Sequence, residues 1–174
     1  MKGMNKILEA IHIAKIAHEG QTYDDLPYQH HLDHVVSMAM WLNYDEEIVI
    51  ACALHDTLED TDLTRLQISD FFGNEVANIV YAVTDEPGET RKERKLKTYP
   101  KIKTNWKAII VKLLDRTANI LYSIGNNPEK LNNYLTEHEE FVNAIITHET
   151  FHNKVKVARA VYYNAYNIAR YKNI

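Results

Sequence analysis

The chain has 174 residues, 45% of them apolar and 25% charged, with a formal net charge of −4. That length suits one soluble domain with a real hydrophobic core, and residues 1–174 are read as a single domain. The acidic balance argues against a dedicated nucleic-acid binder, one cysteine rules out an intrachain disulfide, and the longest apolar run, Ile48 to Leu54, is far too short to span a bilayer. No charged-then-apolar leader is visible. The expectation is a cytoplasmic protein that binds neither nucleic acid nor membrane.

Five glycines and four prolines leave little turn chemistry, which favours long helices. Met4, Ile7, Leu8, Ile11, Ala14 and His18 follow helical spacing, with Gly20 as the stop. Residues 21–30 (QTYDDLPYQH) read as a polar loop. A second helix is predicted from about His31 to Leu42. Asp45 is placed to cap a third, whose run IVIACAL at 48–54 puts it near the centre of the core. Cys52 in that run reads as a core thiol. Thr64 to Phe72 predicts a short helix closed by Gly73, and Asn74 the cap of another reaching about Thr84. DEPGETRKERKLKTYPK at 85–101 reads as a polar connector, helical in part. From Asn105 a strongly amphipathic helix is predicted, carrying Ile109, Ile110, Leu113, Leu114, Ile120, Leu121 and Ile124 and ending at Gly125. After Pro128 neither Gly nor Pro occurs, and Leu131, Tyr134, Val142, Ile145, Val155, Ala158 and Val161 keep the helical period. The fold class is an all-α, single-domain helical bundle.

Two stretches carry metal-type chemistry. HETFH at 148–152 fits H-E-x-x-H, in which two histidines one turn apart hold zinc and the glutamate activates water. Zinc proteases draw a third ligand from downstream, yet after His152 there is no His, Asp or Glu. The stretch is therefore read as a helix face bearing two histidines. His30 and His34 share that weakness. His12 reads as a surface histidine, and His18 and His138 as core histidines.

HDTLED at 55–60 is the stronger signal. The apolar run ends abruptly at His55-Asp56, so a buried helix carries two metal-binding side chains inward, where charge is costly unless paired or metal-bound. Glu59 is i+4 from His55 and Asp60 is i+4 from Asp56, so three carboxylates and an imidazole crowd one helix end. In KLLDRTAN at 112–119, Asp115 borders the apolar stripe and Asn119 lies one turn on. Asp115 reads equally as a ligand to a shared metal or as a surface partner of Lys112 or Arg116.

These pieces resemble a known family, the HD-superfamily metal-dependent phosphohydrolases. Within it they are most similar to the hydrolase domain of RelA/SpoT-type alarmone enzymes and their small single-domain relatives. AHEGQ (17–21), PYQHH (27–31), LHDTLEDTD (54–62), FFGNEVANIVYAVTDE (71–86) and KLLDRTAN (112–119) stand in family order and span about residues 10–125. The resemblance implies a metal, usually Mn²⁺, held by His31, His55, Asp56 and Asp115; the mixed donor set also suits zinc or iron. His31 is preferred to His30 because PY-x-x-H places the ligand there. Glu59 and Asp60 match the family's acidic pair around the attacking water, and Asn119 a substrate contact. The implied reaction removes the 3′-pyrophosphate of ppGpp or pppGpp, giving GDP or GTP and pyrophosphate. Arg91 and Arg94, in RKERK at 91–95, are the favoured phosphate contacts. Two positions depart from the family: Tyr23 and Leu121 stand where arginines are common. Tyr23 is read as a ring for stacking on a base. Those departures keep two rivals open, a phosphohydrolase for another nucleotide (an adenine alarmone, a nucleoside phosphate or a signalling nucleotide) and a non-catalytic nucleotide-binding module. Helices over 129–174 lie outside the motifs and are read as cover for the core or as a homo-oligomer surface.

Overall fold

Strong helix formers separated by capping residues give a chain that is helical nearly throughout. The structure, a computed structural model, describes residues 2–146 and 152–172. Helix α1 (Lys2–Ala17) leads through an antiparallel hairpin, β1 (Thr22–Tyr23) and β2 (Leu26–Pro27), into α2 (Gln29–Trp41). Next come α3 (Glu46–Leu54), α4 (Thr57–Asp60), α5 (Arg65–Phe72) and α6 (Asn74–Val83). They are followed by α7 (Arg91–Lys103), α8 (Trp106–Asn126), α9 (Pro128–Thr136), α10 (His138–Ile145) and α11 (Asn153–Lys172). The architecture is the expected all-α bundle. Among the described residues no helix is long and apolar enough to cross a membrane.

The centre belongs to α3 and α8. All seven residues from Ile48 to Leu54 are buried, with α1, α2, α6 and α8 packed around them. Helix α8 buries Ile109, Ile110, Leu113 and Leu114, and its outer side is covered along its length by α11. Capping explains several boundaries. Thr64 and Gln67 form a reciprocal capping box at the start of α5. Gly73 ends that helix at φ +92°, a conformation that needs glycine. Asn105 accepts from the amides of Lys107 and Ala108 at the start of α8.

Five local readings are corrected. The expected loop over 21–30 contains the short hairpin, turned by Asp24 at φ +50°. The polar connector is a full helix from Arg91 onward, because the Thr90 hydroxyl accepts from the Glu93 amide and Glu93 pairs with Lys97 one turn on. Pro100 sits inside it. Asn74 is not a cap: Gly73 holds that position, and the Asn74 side chain accepts from the Ser69 hydroxyl. Asp45 occupies the N-cap position of α3 but makes no capping bond, its carboxylate being taken by Lys154. Leu8 and Leu121, assigned to apolar stripes, are instead exposed.

His12 is exposed, as expected. His18 and His138 are buried, bonded to Gln21 and to the Tyr162 hydroxyl at 2.8 Å each. Residues 148–151 of HETFH lie outside the described residues. His152 precedes α11 and stacks on Trp106 at 4.0 Å.

Loss of the α5 capping box gives a direct test of this local logic. Thr64→Ala should lower stability by about 1 kcal/mol and Thr64→Ser should restore it, as measured by urea denaturation.

Candidate metal centre and substrate pocket

Helix α3 ends because its last carbonyls find side-chain donors. His55 Nδ1 lies 2.9 Å from the Cys52 carbonyl oxygen, and the Thr57 hydroxyl donates to the Leu54 carbonyl at 2.7 Å. A carbonyl can only accept, so Nδ1 carries the hydrogen and Nε2 turns to the interior. There His55 meets His31 of α2, with the two Nε2 atoms 3.2 Å apart. Asp56 Oδ2 lies 2.9 Å from His55 Nε2 and 3.6 Å from His31 Nε2. Asp115 Oδ1, from α8, lies 3.3 Å from His31 and 3.6 Å from His55.

Three donor atoms, from His31, His55 and Asp56, form a group able to hold a metal ion, and Asp115 Oδ1 lies beside the two imidazoles. Ligands about 2.1 Å from a common ion stand roughly 3.0–3.4 Å apart, and the separations here run from 2.9 to 3.6 Å. The electrostatics point the same way. Burial opposes charge on His55, but the Asp56 and Asp115 carboxylates outweigh it and push the imidazole up to about 10. Burial also opposes charge on Asp56 and Asp115. His55 and Lys112 respectively outweigh it and hold both carboxyls well below the usual range. The cluster is a buried demand for positive charge, which a divalent cation meets. The donor set therefore fits the metal.

The ligands are fixed from behind. The Tyr28 hydroxyl donates to Asp56 Oδ2 at 2.6 Å. Lys112 Nζ pairs with Asp115 Oδ2 at 2.9 Å, so the ion pair read as a rival to metal binding exists beside it. Arg116 turns away, to Glu137 and the Tyr134 carbonyl. Asn119 Nδ2 donates to Asp115 Oδ1 at 2.6 Å, while its Oδ1 accepts from the Tyr23 hydroxyl at 2.7 Å. The substrate contact assigned to Asn119 thus meets a side chain already bonded at both ends. Tyr23 does stack, but on His31, at 4.9 Å and 13° between planes, with Lys130 Nζ 3.7 Å from its ring centroid.

A cavity of about 380 Å³ opens over the cluster. Glu59 and Asp60 line it. Burial raises the pKa of both carboxyls, and the Asp56 charge adds to the rise. Glu59 is held by the Asp85 amide, which donates to its Oε2 at 3.0 Å. Arg91, Arg94, Lys95, Lys112 and Lys130 also line the cavity. Arg91 is committed to Glu137, Lys95 to Asp85 and Lys112 to Asp115. Among the described residues, Arg94 and Lys130 make no ion pair. Sequence reasoning missed Tyr28, Asp85, Lys95, Lys130 and Tyr134 as lining residues. The first two stood inside recognised motifs, PYQHH and VTDE, and were legible there. Lys130 and Tyr134 come from α9, one helical turn apart, and no motif marks them.

Comparison with known proteins adds to this geometry. Residues 10–141 match the HD domain. The chain belongs to the HD-domain family. The match runs beyond the last motif, through α9 into α10. A Drosophila melanogaster protein named guanosine-3′,5′-bis(diphosphate) 3′-pyrophosphohydrolase MESH1 is 30% identical over 129 residues, covering 71% of this chain and 72% of that one. A protein of the same activity name from Haemophilus influenzae is 35% identical over 126 residues, 68% of this chain and 19% of that much longer one. The solved structure of a metazoan ortholog of SpoT, described as hydrolysing ppGpp, superposes with a TM-score of 0.72 at 23% identity, covering 91% and 94% of the two chains. The HD domain implies a divalent metal, and this chain is a metal-dependent phosphohydrolase of that family.

Neighbouring histidines separate the ligand from its look-alike. His30 is exposed and faces His34 and Tyr122. In calorimetric titration of the metal-free protein with Mn²⁺, His31→Ala should lose binding and His30→Ala should keep it.

Proposed function

We propose that this protein hydrolyses the 3′-pyrophosphate of guanosine alarmones, ppGpp or pppGpp, to GDP or GTP and pyrophosphate, with Mn²⁺ as its metal. One observation carries the reading: two imidazoles and two carboxylates cluster beneath a cavity that presents two acids and two cations without a carboxylate partner among the described residues. The names of the relatives from Drosophila melanogaster and Haemophilus influenzae support the substrate class. Residues 1–174 act in this reading as a single catalytic domain.

His31, His55, Asp56 and Asp115 would hold the metal. When bound, it lowers the pKa of water and neutralises phosphoryl charge. Glu59 takes a proton from the attacking water, and its raised pKa favours accepting that proton. Asp60, placed by Tyr28 and by the Gln21 amide on its carbonyl, shares in orienting that water. Water joins the phosphorus on the 3′-oxygen, the bond to that oxygen breaks, and pyrophosphate departs. Arg94 and Lys130 bind the phosphates with no carboxylate partner to displace among the described residues. Arg91 stands at the same wall, held by Glu137.

Incubation with Mn²⁺ and a nucleotide panel tests the substrate. The expected products from ppGpp are GDP and pyrophosphate; intact ppGpp beside cleavage of another nucleotide would establish the rival phosphohydrolase. Glu59→Gln should lower kcat by about 10²- to 10⁴-fold with Mn²⁺ affinity retained, and unchanged kcat would remove Glu59 from the reaction. Lys130→Ala and Arg94→Ala should each raise KM roughly tenfold or more, read from initial rates at saturating metal.

A further inference from the structure

We infer that Tyr23 is a positioning residue of the metal centre, tying two ligands from different helices to the hairpin. It stands at the end of β1, and its side chain is 6% exposed. Its ring lies parallel to the His31 imidazole, 4.9 Å away, which restricts rotation of that ligand. Its hydroxyl donates to Asn119 Oδ1 at 2.7 Å, and the Asn119 amide donates in turn to Asp115 Oδ1 at 2.6 Å. Only the amide nitrogen of Asn119 can donate to Asp115. By fixing Asn119 Oδ1, Tyr23 fixes which end of the amide faces the carboxylate. Tyr23 lines the edge of the cavity, and its ring cannot turn further into it without breaking the contact with His31 or the bond to Asn119. Lys130 covers it, and the edge of Tyr122 packs at 4.6 Å.

Tyr28 works from the other strand end of the same hairpin. Its hydroxyl holds Asp56, and its ring stacks on His18 at 4.5 Å. The hairpin therefore reaches three of the four ligands: His31 and Asp115 through Tyr23, and Asp56 through Tyr28. Partners that orient metal ligands in this way contribute about 10- to 100-fold to metal affinity. The inference rests on the metal centre and not on the identity of the nucleotide, so failure to cleave ppGpp would leave it standing.

The test is Mn²⁺ titration of the metal-free full chain by calorimetry, with KM and kcat measured alongside on the cleaved nucleotide. Tyr23→Phe keeps the stack and loses the hydroxyl; it should weaken Mn²⁺ binding about 3- to 10-fold. Tyr23→Leu loses both and should weaken it about 10- to 100-fold. In an Asn119→Ala background, Tyr23→Phe should add nothing, because its hydroxyl acts through Asn119. At saturating Mn²⁺ the KM of Tyr23→Phe should match the parent. Parent-like Mn²⁺ affinity in Tyr23→Phe with a raised KM would overturn the inference and make Tyr23 a substrate contact. Additive losses in the double variant would overturn the route through Asn119. Because Tyr23→Phe preserves the packed ring, it decides the matter even if Tyr23→Leu unfolds.

Discussion

Two carboxylates crowd two buried imidazoles, and the surrounding structure is arranged around that fact. Asp56 and Asp115 cannot both stay ionised in the interior without positive charge beside them. Lys112 supplies part of it from α8, one turn before Asp115. The rest falls to the centre of the cluster, where His55 gains a proton or a cation enters. Helices α2, α3 and α8 each contribute a ligand or place one at their end, so the charge balance and the packing of the bundle are a single problem.

The two sides of the site have different materials. Below the ligands lies the apolar interior, made by Ile48 to Leu54 and by the inner face of α8. It fixes the helix ends. Above lies the cavity, whose walls come from α4, α7 and α9 and carry opposing charges in pairs. A polar cavity over an apolar floor suits phosphate chemistry: the floor holds the ligands rigid, while the walls trade water for anionic oxygens. The hairpin closes a third side. Although only two residues per strand are paired, its tyrosines reach both aspartate ligands, one directly and one through Asn119.

Legibility varied with the range of the interaction. The run at 48–54 announced a central helix, because seven adjacent apolar residues leave no polar face. HDTLED announced a metal end, because buried charge at that density needs a cation. By contrast, the helix over Arg91–Lys103 was hidden by its lack of an apolar stripe and by Pro100, although Thr90 and Glu93 carried a start signal. Lys130 was invisible as a site residue. Nothing in its own neighbourhood differs from a solvated helix, and its position over Tyr23 depends on how α9 returns across the bundle.

The sequence by itself determined the helical class, the central helix and the family's ordered motifs, since these follow from local periodicity, local charge density and motif order. It left Asp115 poised between a surface pair and a metal ligand. Tertiary structure decided that Asp115 is buried, paired with Lys112 and set beside His31 and His55. It also decided that Tyr23 turns its ring to His31 and that the free cations of the pocket come from α7 and α9. The reason is range: helix spacing fixes neighbours three and four residues apart, whereas Tyr23 and Asn119 are 96 residues apart and meet only when three helices and a hairpin pack together.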